Sequence, residues 1–381
     1  MTGHLELSDE QDALLDLVRD IARREVAPHA AERERAGEFP RAAFDALGKA
    51  GLLGLPYPEE YGGGAQPSWV YLLMLEELAA AHVAVGLGVS VQTLTMFPTY
   101  AYGTDEQKSA WLPPGCSGEW IGAYCLSEPA GGSDAAALTT KAEPDGDSLV
   151  ITGRKAFVTH GGEADYYLVF ARTGGAGSSG ISCVFVPANT PGVTREKVEH
   201  KMGMRSSPTA AMVFQDVRVP ATNVLGAPGE GFRIAMQALD GGRLGIAACS
   251  VGLSRAALDA AVAFARERRQ FGKPLVEFQG LSFMLADMAT QIEAARTLTL
   301  DAARRRDAGI PFSTNAAMAK LFASDTAMRV TTDAVQVHGG YGYVDEFPVE
   351  RYMREAKVLQ IVEGTNQIQR LVIGRALGRQ E

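Results

Sequence analysis

Apolar positions recur along this chain in three textures. In the first part, Leu14, Leu15, Val18, Ile21 and Ala22 fall at helical spacing behind Ser8-Asp9-Glu10-Gln11, where a hydroxyl and an amide three residues apart form a capping box. Pro28 is expected to close that helix. Pro40 opens a shorter helix carrying Phe44 and Leu47, and Tyr61-Gly62-Gly63-Gly64 reads as turn. From Trp69 to about Val91 apolar residues occupy nearly every face (Leu72, Leu73, Leu75, Leu78, Ala79, Val83), which predicts one helix buried on several sides. Thr104-Asp105-Glu106-Gln107 is a second capping box, ahead of Trp111 and Leu112.

The period then shortens. Short β-rich runs cover Ile121 to Leu126, Leu149 to Ile151, Phe157 to Thr159, Tyr166 to Ala171, Ile181 to Pro187 and Ala211 to Val219, separated by Gly, Pro, Asp and Ser clusters. Strands of this length and spacing predict an antiparallel barrel or sandwich. Helical spacing returns with Phe232 and predicts four long helices: Phe232 to Arg269, Glu277 to Ala308, Thr314 to Val337, and Val349 to Leu377 interrupted at Gly364. Short connections between Ala-rich helices predict an antiparallel bundle. The chain therefore divides into a helical segment (1–118), a β segment (119–231) and a helical bundle (232–381), an α+β protein in the order α, β, α.

Composition narrows the picture. With 381 residues, 46% hydrophobic and 21% charged, the chain can bury a large core. A formal charge of -9 argues against a general nucleic-acid or lipid-surface role. Cys116, Cys125, Cys183 and Cys249 show no paired spacing, the N-terminus is polar and acidic, and no apolar run reaches the length of a membrane span. A cytoplasmic protein is the expectation.

Several strings carry candidate chemistry. Glu363 stands between Ile361-Val362 and Gly364, with Thr365 and Asn366 offering cap side chains for the helix of Ile368, Leu371 and Val372. A carboxylate there can meet a ligand while the helix amides hold phosphate, although an acid before a helix also serves as a plain cap. Tyr124 to Asp134 places Ser127 at a strand end followed by small residues that let a ligand near the backbone, or simply make a turn. In Gly153 to Gly162, Phe157 and Thr159 share one strand face, suiting a planar heterocycle or filling core. Arg268 and Arg269 at a helix end either answer the dipole or clamp phosphate, and Asp240-Gly241-Gly242-Arg243 is expected to bend its helix and present an arginine. Gln336 to Gly342 lacks the preceding strand and spacing of a dinucleotide fingerprint. Neither clustered histidine ligands nor a Gly-x-Ser-x-Gly elbow is present, so no metal site and no serine hydrolase is expected.

Taken in order, Leu-Ser-Glu-Pro…Gly-Ser-Asp, Lys-x-Phe-Val-Thr, Arg-x-x-Phe-Gly, Gln-x-x-Gly-Gly-x-Gly-Tyr and Glu-Gly-Thr-x-Gln resemble the acyl-CoA dehydrogenase family, from about Ser8 to Leu377. The resemblance implies the same three-part architecture, FAD as cofactor, and a homotetramer built as a dimer of dimers. It also implies oxidation of the Cα–Cβ bond of an acyl-CoA thioester in fatty acid β-oxidation, with electrons passed to an electron-transfer flavoprotein. Glu363 corresponds to the base that takes the α-proton while the β-hydride goes to flavin N5. Leu126, Ser127, Phe157 and Thr159 resemble flavin-ring contacts. Arg268, Phe271, Gln279, Gln336, Gly339 and Gly340 resemble residues that hold the FAD pyrophosphate and adenosine, partly across a subunit interface, and Gly364, Thr365 and Gln367 further FAD contacts. Ser133, Asp240 and Arg243 resemble residues along the CoA arm.

The chain departs from the family pattern at Ser127 (often threonine), Phe157 (often tryptophan), His160 (often asparagine) and Val362 (often tyrosine). A minority of the family carries its base just before the arginine matched by Arg243; here that position is Gly242, which cannot serve. The competing expectations are an oxidase on the same scaffold, a silent acyl-CoA or FAD-binding scaffold, and a helical interaction protein. Short or branched acyl chains are the expected substrates.

Overall fold

The computed structural model describes residues 7–378; most of the polar N-terminal stretch and the extreme C-terminus lie outside the described residues. Helix α1 (Asp9–Ile21) starts at the expected box: Ser8 Oγ accepts the Gln11 N–H at 3.2 Å and Gln11 Oε1 accepts the Ser8 N–H at 3.1 Å. It does not end at Pro28. A π turn (Ala22–Val26) widens the winding and sets Pro28 in the first turn of a 3-10 segment (Ala27–His29), where its missing N–H breaks no bond. The chain continues into α2 (Ala30–Ala36), which Gly37 closes in the left-handed region.

After α3 (Arg41–Lys49), the single helix expected from Trp69 is two, α4 (Ser68–Ala81) and α5 (Val83–Tyr102). The break is His82, extended at φ -163°, with neither glycine nor proline beside it. Its buried ring is taken up by distant partners: Nε2 lies 3.2 Å from Ser206 Oγ and 3.7 Å from Glu355 Oε1. Glu34 joins this junction by accepting the Arg205 and Ser206 N–H groups, at 2.7 and 3.3 Å. Glu34, His82 and Glu355 bring their polar atoms within 4.8 Å of one another, a metal-like spacing, but Arg351 and Arg354 already pair with the two carboxylates, at 3.2 and 3.6 Å. The junction is an internal ion network that ties all three segments together. Helix α6 (Asp105–Ser117) begins at the second capping box.

The middle segment forms one sheet from β1 (Gly122–Cys125), β2 (Lys141–Asp145), β3 (Ser148–Thr159), β4 (Tyr166–Arg172), β5 (Ile181–Pro187), β6 (Val193–Val198), β7 (Thr209–Pro220) and β8 (Val224–Leu225). The order β6-β7-β3-β2-β4-β5-β8 is antiparallel except where β2 meets β4, and β1 joins β4 in parallel. The runs at Leu149 and Phe157 are the two ends of β3, whose polar middle hid its continuity. Strand β4 is buried on both faces: Tyr167, Val169 and Ala171 enter one core, while Leu168 and Phe170 enter another shared with Ile234 and Ala235.

The C-terminal segment is α7 (Gly231–Glu267), α8 (Gln279–Asp307), α9 (Ser313–His338), α10 (Val349–Leu359) and α11 (Asn366–Leu377). The interruption near Gly364 is present between α10 and α11. Helix α7 runs unbroken through Asp240 to Arg243, against the expected bend. Its glycines serve close approach instead: a β-carbon on Gly245 would strike Ser90 Oγ at 2.0 Å, and one on Gly252 the Glu76 carbonyl at 2.1 Å. By length and composition α7 could cross a membrane, which the sequence reading did not anticipate, but 61% of its most apolar stretch is packed inside the protein.

Candidate active site

The site grows from the turn between α10 and α11. Thr365 caps α11 by accepting the Ile368 N–H at 3.3 Å, and Glu363 takes a left-handed backbone at φ 56°. That conformation is costly outside glycine, by about 1 kcal/mol. Neighbours hold it. Gln369 Nε2 donates to the carbonyls of Glu363 and Gly364 at 3.2 and 2.8 Å, and Lys320 Nζ of α9 donates to Gly364 O at 3.0 Å and to Asn366 Oδ1 at 2.8 Å. Asn366, read as a second cap residue, instead ties the turn to α9: its Nδ2 donates to Ser324 Oγ at 3.0 Å and Asp325 Oδ1 at 2.7 Å.

The Glu363 carboxylate points inward against α7. A β-carbon built on Gly242 would lie 2.6 Å from Oε2. Oε2 is buried and has no hydrogen-bond partner among the described residues. Burial drives the carboxyl up to about 7, against the pull of Arg243 and Lys320. Arg243 is itself buried; it donates to Asp240 Oδ1 at 2.5 Å, and its Nε is another buried atom without a partner among the described residues. Asp240 also accepts from Ser313 Oγ at 2.9 Å. Tyr124 of β1 is close enough to feel the charge of Glu363 and is held by burial well above its ordinary value. Its hydroxyl reaches the Ala235 carbonyl of α7 at 3.3 Å.

Two residues beyond Tyr124, β1 runs out into Leu126 and Ser127, and the adjoining end of β3 carries Phe157 and Thr159. One internal ion pair locks these strings. Lys155 Nζ donates to Glu128 Oε1 at 2.8 Å and to the Leu126 carbonyl at 3.3 Å, while Ser127 O accepts the Ala156 N–H at 2.9 Å. Glu128 also accepts the N–H groups of Thr139 and Thr140 at 2.7 and 2.9 Å. Burial pushes Glu128 up, but Lys155 and these donors outweigh it and bring the carboxyl to about 2. Held this way, β3 slips register between Lys155 and Val158, and Phe157 turns outward at φ 54°, its ring 70% exposed.

A third group gathers at the far end of α7. Arg268 lies over the Tyr341 ring at 5.4 Å and, with His338, Gly339 and Gly340, lines a cavity of about 630 Å³. Phe271, left-handed at φ 50° and 94% exposed, stands on the neighbouring hairpin, and Gln279 and Gln336 are exposed at helix ends. Ser133 is exposed on the loop after β1, and Gln367 on α11. A larger cavity of about 820 Å³, between α6 and β8, touches none of these residues.

Seven described non-glycine residues have positive φ in the left-handed region, and three of them are Phe157, Phe271 and Glu363. Strain concentrated on residues chosen for their chemistry marks a functional site. The donor set suits FAD: an outward aromatic ring beside two hydroxyls for a planar heterocycle, and an arginine-and-glycine cavity for a dinucleotide. Sequence reasoning missed Tyr124, Lys320 and the Glu128–Lys155 pair. Lys320 had one signal, a charge on the stripe Ala316, Lys320, Ala323, Ala327 that faces inward along α9.

Comparison with known proteins gives a consistent answer. Family models for the N-terminal, middle and C-terminal domains of acyl-CoA dehydrogenase match residues 8–119, 123–217 and 229–378. The short-chain-specific acyl-CoA dehydrogenase of Megasphaera elsdenii is 46% identical over 380 residues, covering 98% of this chain and 99% of that protein. The solved butyryl-CoA dehydrogenase of Megasphaera elsdenii superposes with a TM-score of 0.96 at 45% identity, over 99% of this chain and 100% of that one. A chain solved in work on the electron transferring flavoprotein of Acidaminococcus fermentans and flavin-based electron bifurcation superposes at 0.97, with 46% identity and 99% and 100% coverage.

Proposed function

Because this chain belongs to the acyl-CoA dehydrogenase family, we propose that Glu363 is the base of its reaction. The enzyme carries out FAD-dependent dehydrogenation of an acyl-CoA thioester across Cα–Cβ. Bound FAD supplies the acceptor for the β-hydride. The chain's own task is to remove the α-proton, which is weakly acidic and calls for a dry carboxylate within about 3 Å. One observation carries the assignment: Glu363 Oε2 is buried against Gly242 of α7 and is matched to no donor among the described residues. Desolvation strengthens it as a base, while Arg243 and Lys320 keep its ionised form within reach of neutral pH.

Leu126, Ser127, Phe157 and Thr159 would hold the flavin ring, and Arg268, Gly339 and Gly340 the dinucleotide end. The exposed Phe271, Gln279 and Gln336 fit a further part of that cofactor site completed by another copy, in a homotetramer. Arg243, with Asp240, would meet the polar part of the thioester ligand. A short straight acyl chain is the substrate we favour, on likeness to proteins named short-chain specific and butyryl-CoA dehydrogenase. An electron-transfer flavoprotein is the acceptor we favour, on likeness to the chain solved with that subject. Four buried cysteines, all free, suit the reducing cytoplasm.

Anaerobic titration of the FAD-loaded enzyme with acyl-CoAs of graded length, followed by flavin bleaching, tests substrate and base together. Wild-type enzyme should bleach with the four-carbon thioester. Glu363→Gln should keep FAD and lose turnover by about three orders of magnitude or more. A variant that bleaches at the wild-type rate would remove Glu363 from the mechanism.

A further inference from the structure

Lys320 is fully buried in the middle of α9, one of two lysines with no exposed surface among the described residues. An ammonium taken out of water costs several kcal/mol unless charge and hydrogen bonds offset it. Its two hydrogen-bond partners, Gly364 O and Asn366 Oδ1, are both neutral. A glutamine could satisfy them at far lower cost. The compensating negative charges are Glu363 and Asp325, which both favour the ammonium, whereas Arg243 opposes it.

We propose that Lys320 is a positioning residue of the reaction: it clamps the turn that carries Glu363 and, when protonated, sets a positive charge near the Glu363 carboxylate. The inference rests on Glu363 being the base. Three elements present titratable or charged groups to that carboxylate: Arg243 from α7, Lys320 from α9 and Tyr124 from β1. Arg243 is already engaged with Asp240, so its charge is partly spent there. Lys320 has no carboxylate within hydrogen-bonding distance among the described residues, which leaves its charge to act on the surroundings of Gly364. Burial pulls Lys320 down to about 7, against Glu363 and Asp325, so its charge changes in the same range as that of Glu363. When Glu363 takes the α-proton it becomes neutral, and Lys320 loses its counter-charge. The clamp through Gly364 O then keeps the left-handed turn in place.

The test is the pH profile of kcat/KM for FAD-loaded Lys320→Gln, Lys320→Met and Asp325→Asn. Gln keeps a donor to the turn without charge; Met keeps neither. Loss of the positive charge makes Glu363 harder to ionise, so both should move the acidic limb up by about 1 pH unit. Lys320→Met should also lower the plateau kcat by about tenfold, through a looser base. Asp325→Asn leaves Lys320 in place but removes a charge that favours its ammonium, and should shift the limb the same way by a smaller amount. A purely structural lysine would leave the limb where it is. FAD-loaded Lys320→Gln with a wild-type limb overturns the proposal. If neither Lys320 variant holds FAD, an unmoved limb in Asp325→Asn overturns it. Glu363→Gln separates the two levels: an inactive Glu363→Gln with unmoved Lys320 profiles sinks only the role of Lys320, and an active Glu363→Gln sinks the base itself.

Discussion

The carboxylate of Glu363 rests on the bare Cα of Gly242, on the helix face where a β-carbon would come within 2.6 Å of Oε2 and 3.1 Å of Oε1. The glycine makes the room that the base occupies. Gly242→Ala should therefore fold, since alanine favours a helix and the clash falls on the end of a movable side chain. It should nonetheless displace the carboxylate by around 1 Å and lower kcat by about a hundredfold, with KM much less affected. Steady-state kinetics beside a melting curve would check it; unchanged kcat would mean the carboxylate stands elsewhere during turnover.

The raised Glu363 carboxyl has two consequences of opposite sign. Activity needs the ionised form, so kcat/KM should fall about tenfold per unit below about pH 7. Stability runs the other way. The folded protein holds this proton more tightly than the unfolded chain, so its contribution declines as pH rises from 4.5 to about 7. Above that range the buried charge costs about 3 kcal/mol. Glu363→Gln should unfold several degrees higher than wild type at pH 8, and the gap should close towards pH 5. Equal melting temperatures at both pH values would contradict the burial argument.

Breaking the Glu128–Lys155 pair should cost more than the pair contributes. Glu128 is held low by its partners, but burial also draws Lys155 down, so the net gain is smaller than the shift of Glu128 alone. Lys155→Met strands a buried carboxylate and should destabilise the protein by about 3–5 kcal/mol in urea unfolding. Because the pair fixes Leu126, Ala156 and their neighbours, FAD should dissociate before the protein unfolds. Coincident loss of flavin fluorescence quenching and of helix signal would argue that the pair serves stability alone.

Arg268→Ala removes the guanidinium over Tyr341 without touching the base. Retention of FAD through gel filtration should weaken by about tenfold, the scale of one charge-assisted hydrogen bond. Turnover per bound flavin should stay near wild type. FAD content equal to wild type would take Arg268 out of the dinucleotide site.

Much of this molecule was legible where local chemistry decides the outcome. Both capping boxes fall where Ser8 and Thr104 place them, and Glu363 was visible from its string. What escaped detection is what distant residues decide. His82 divides α4 from α5 because Ser206 and Glu355 claim its ring, and no neighbour in sequence announces it. Strand β3 continues through Arg154 and Lys155 because Glu128, from a separate loop, neutralises the buried lysine. The charged edge strand β6, at Val193–Val198, reads as loop since its side chains face water and guard an edge. Lys320 was hidden for the same reason as Lys155: its partners arrive from a turn far along the chain.

Helix α7 is one rod of 37 residues, about 55 Å long, with Ile234 in the β core, Gly242 under the base and Arg268 beyond its far end. It works as a ruler. Adding or deleting a single residue between Gly242 and Glu267 would turn one end about 100° against the other. Chemistry and cofactor grip would then face different directions, even with every functional side chain still in place. Outside the close-packed glycines this stretch can therefore change letters, but not their number.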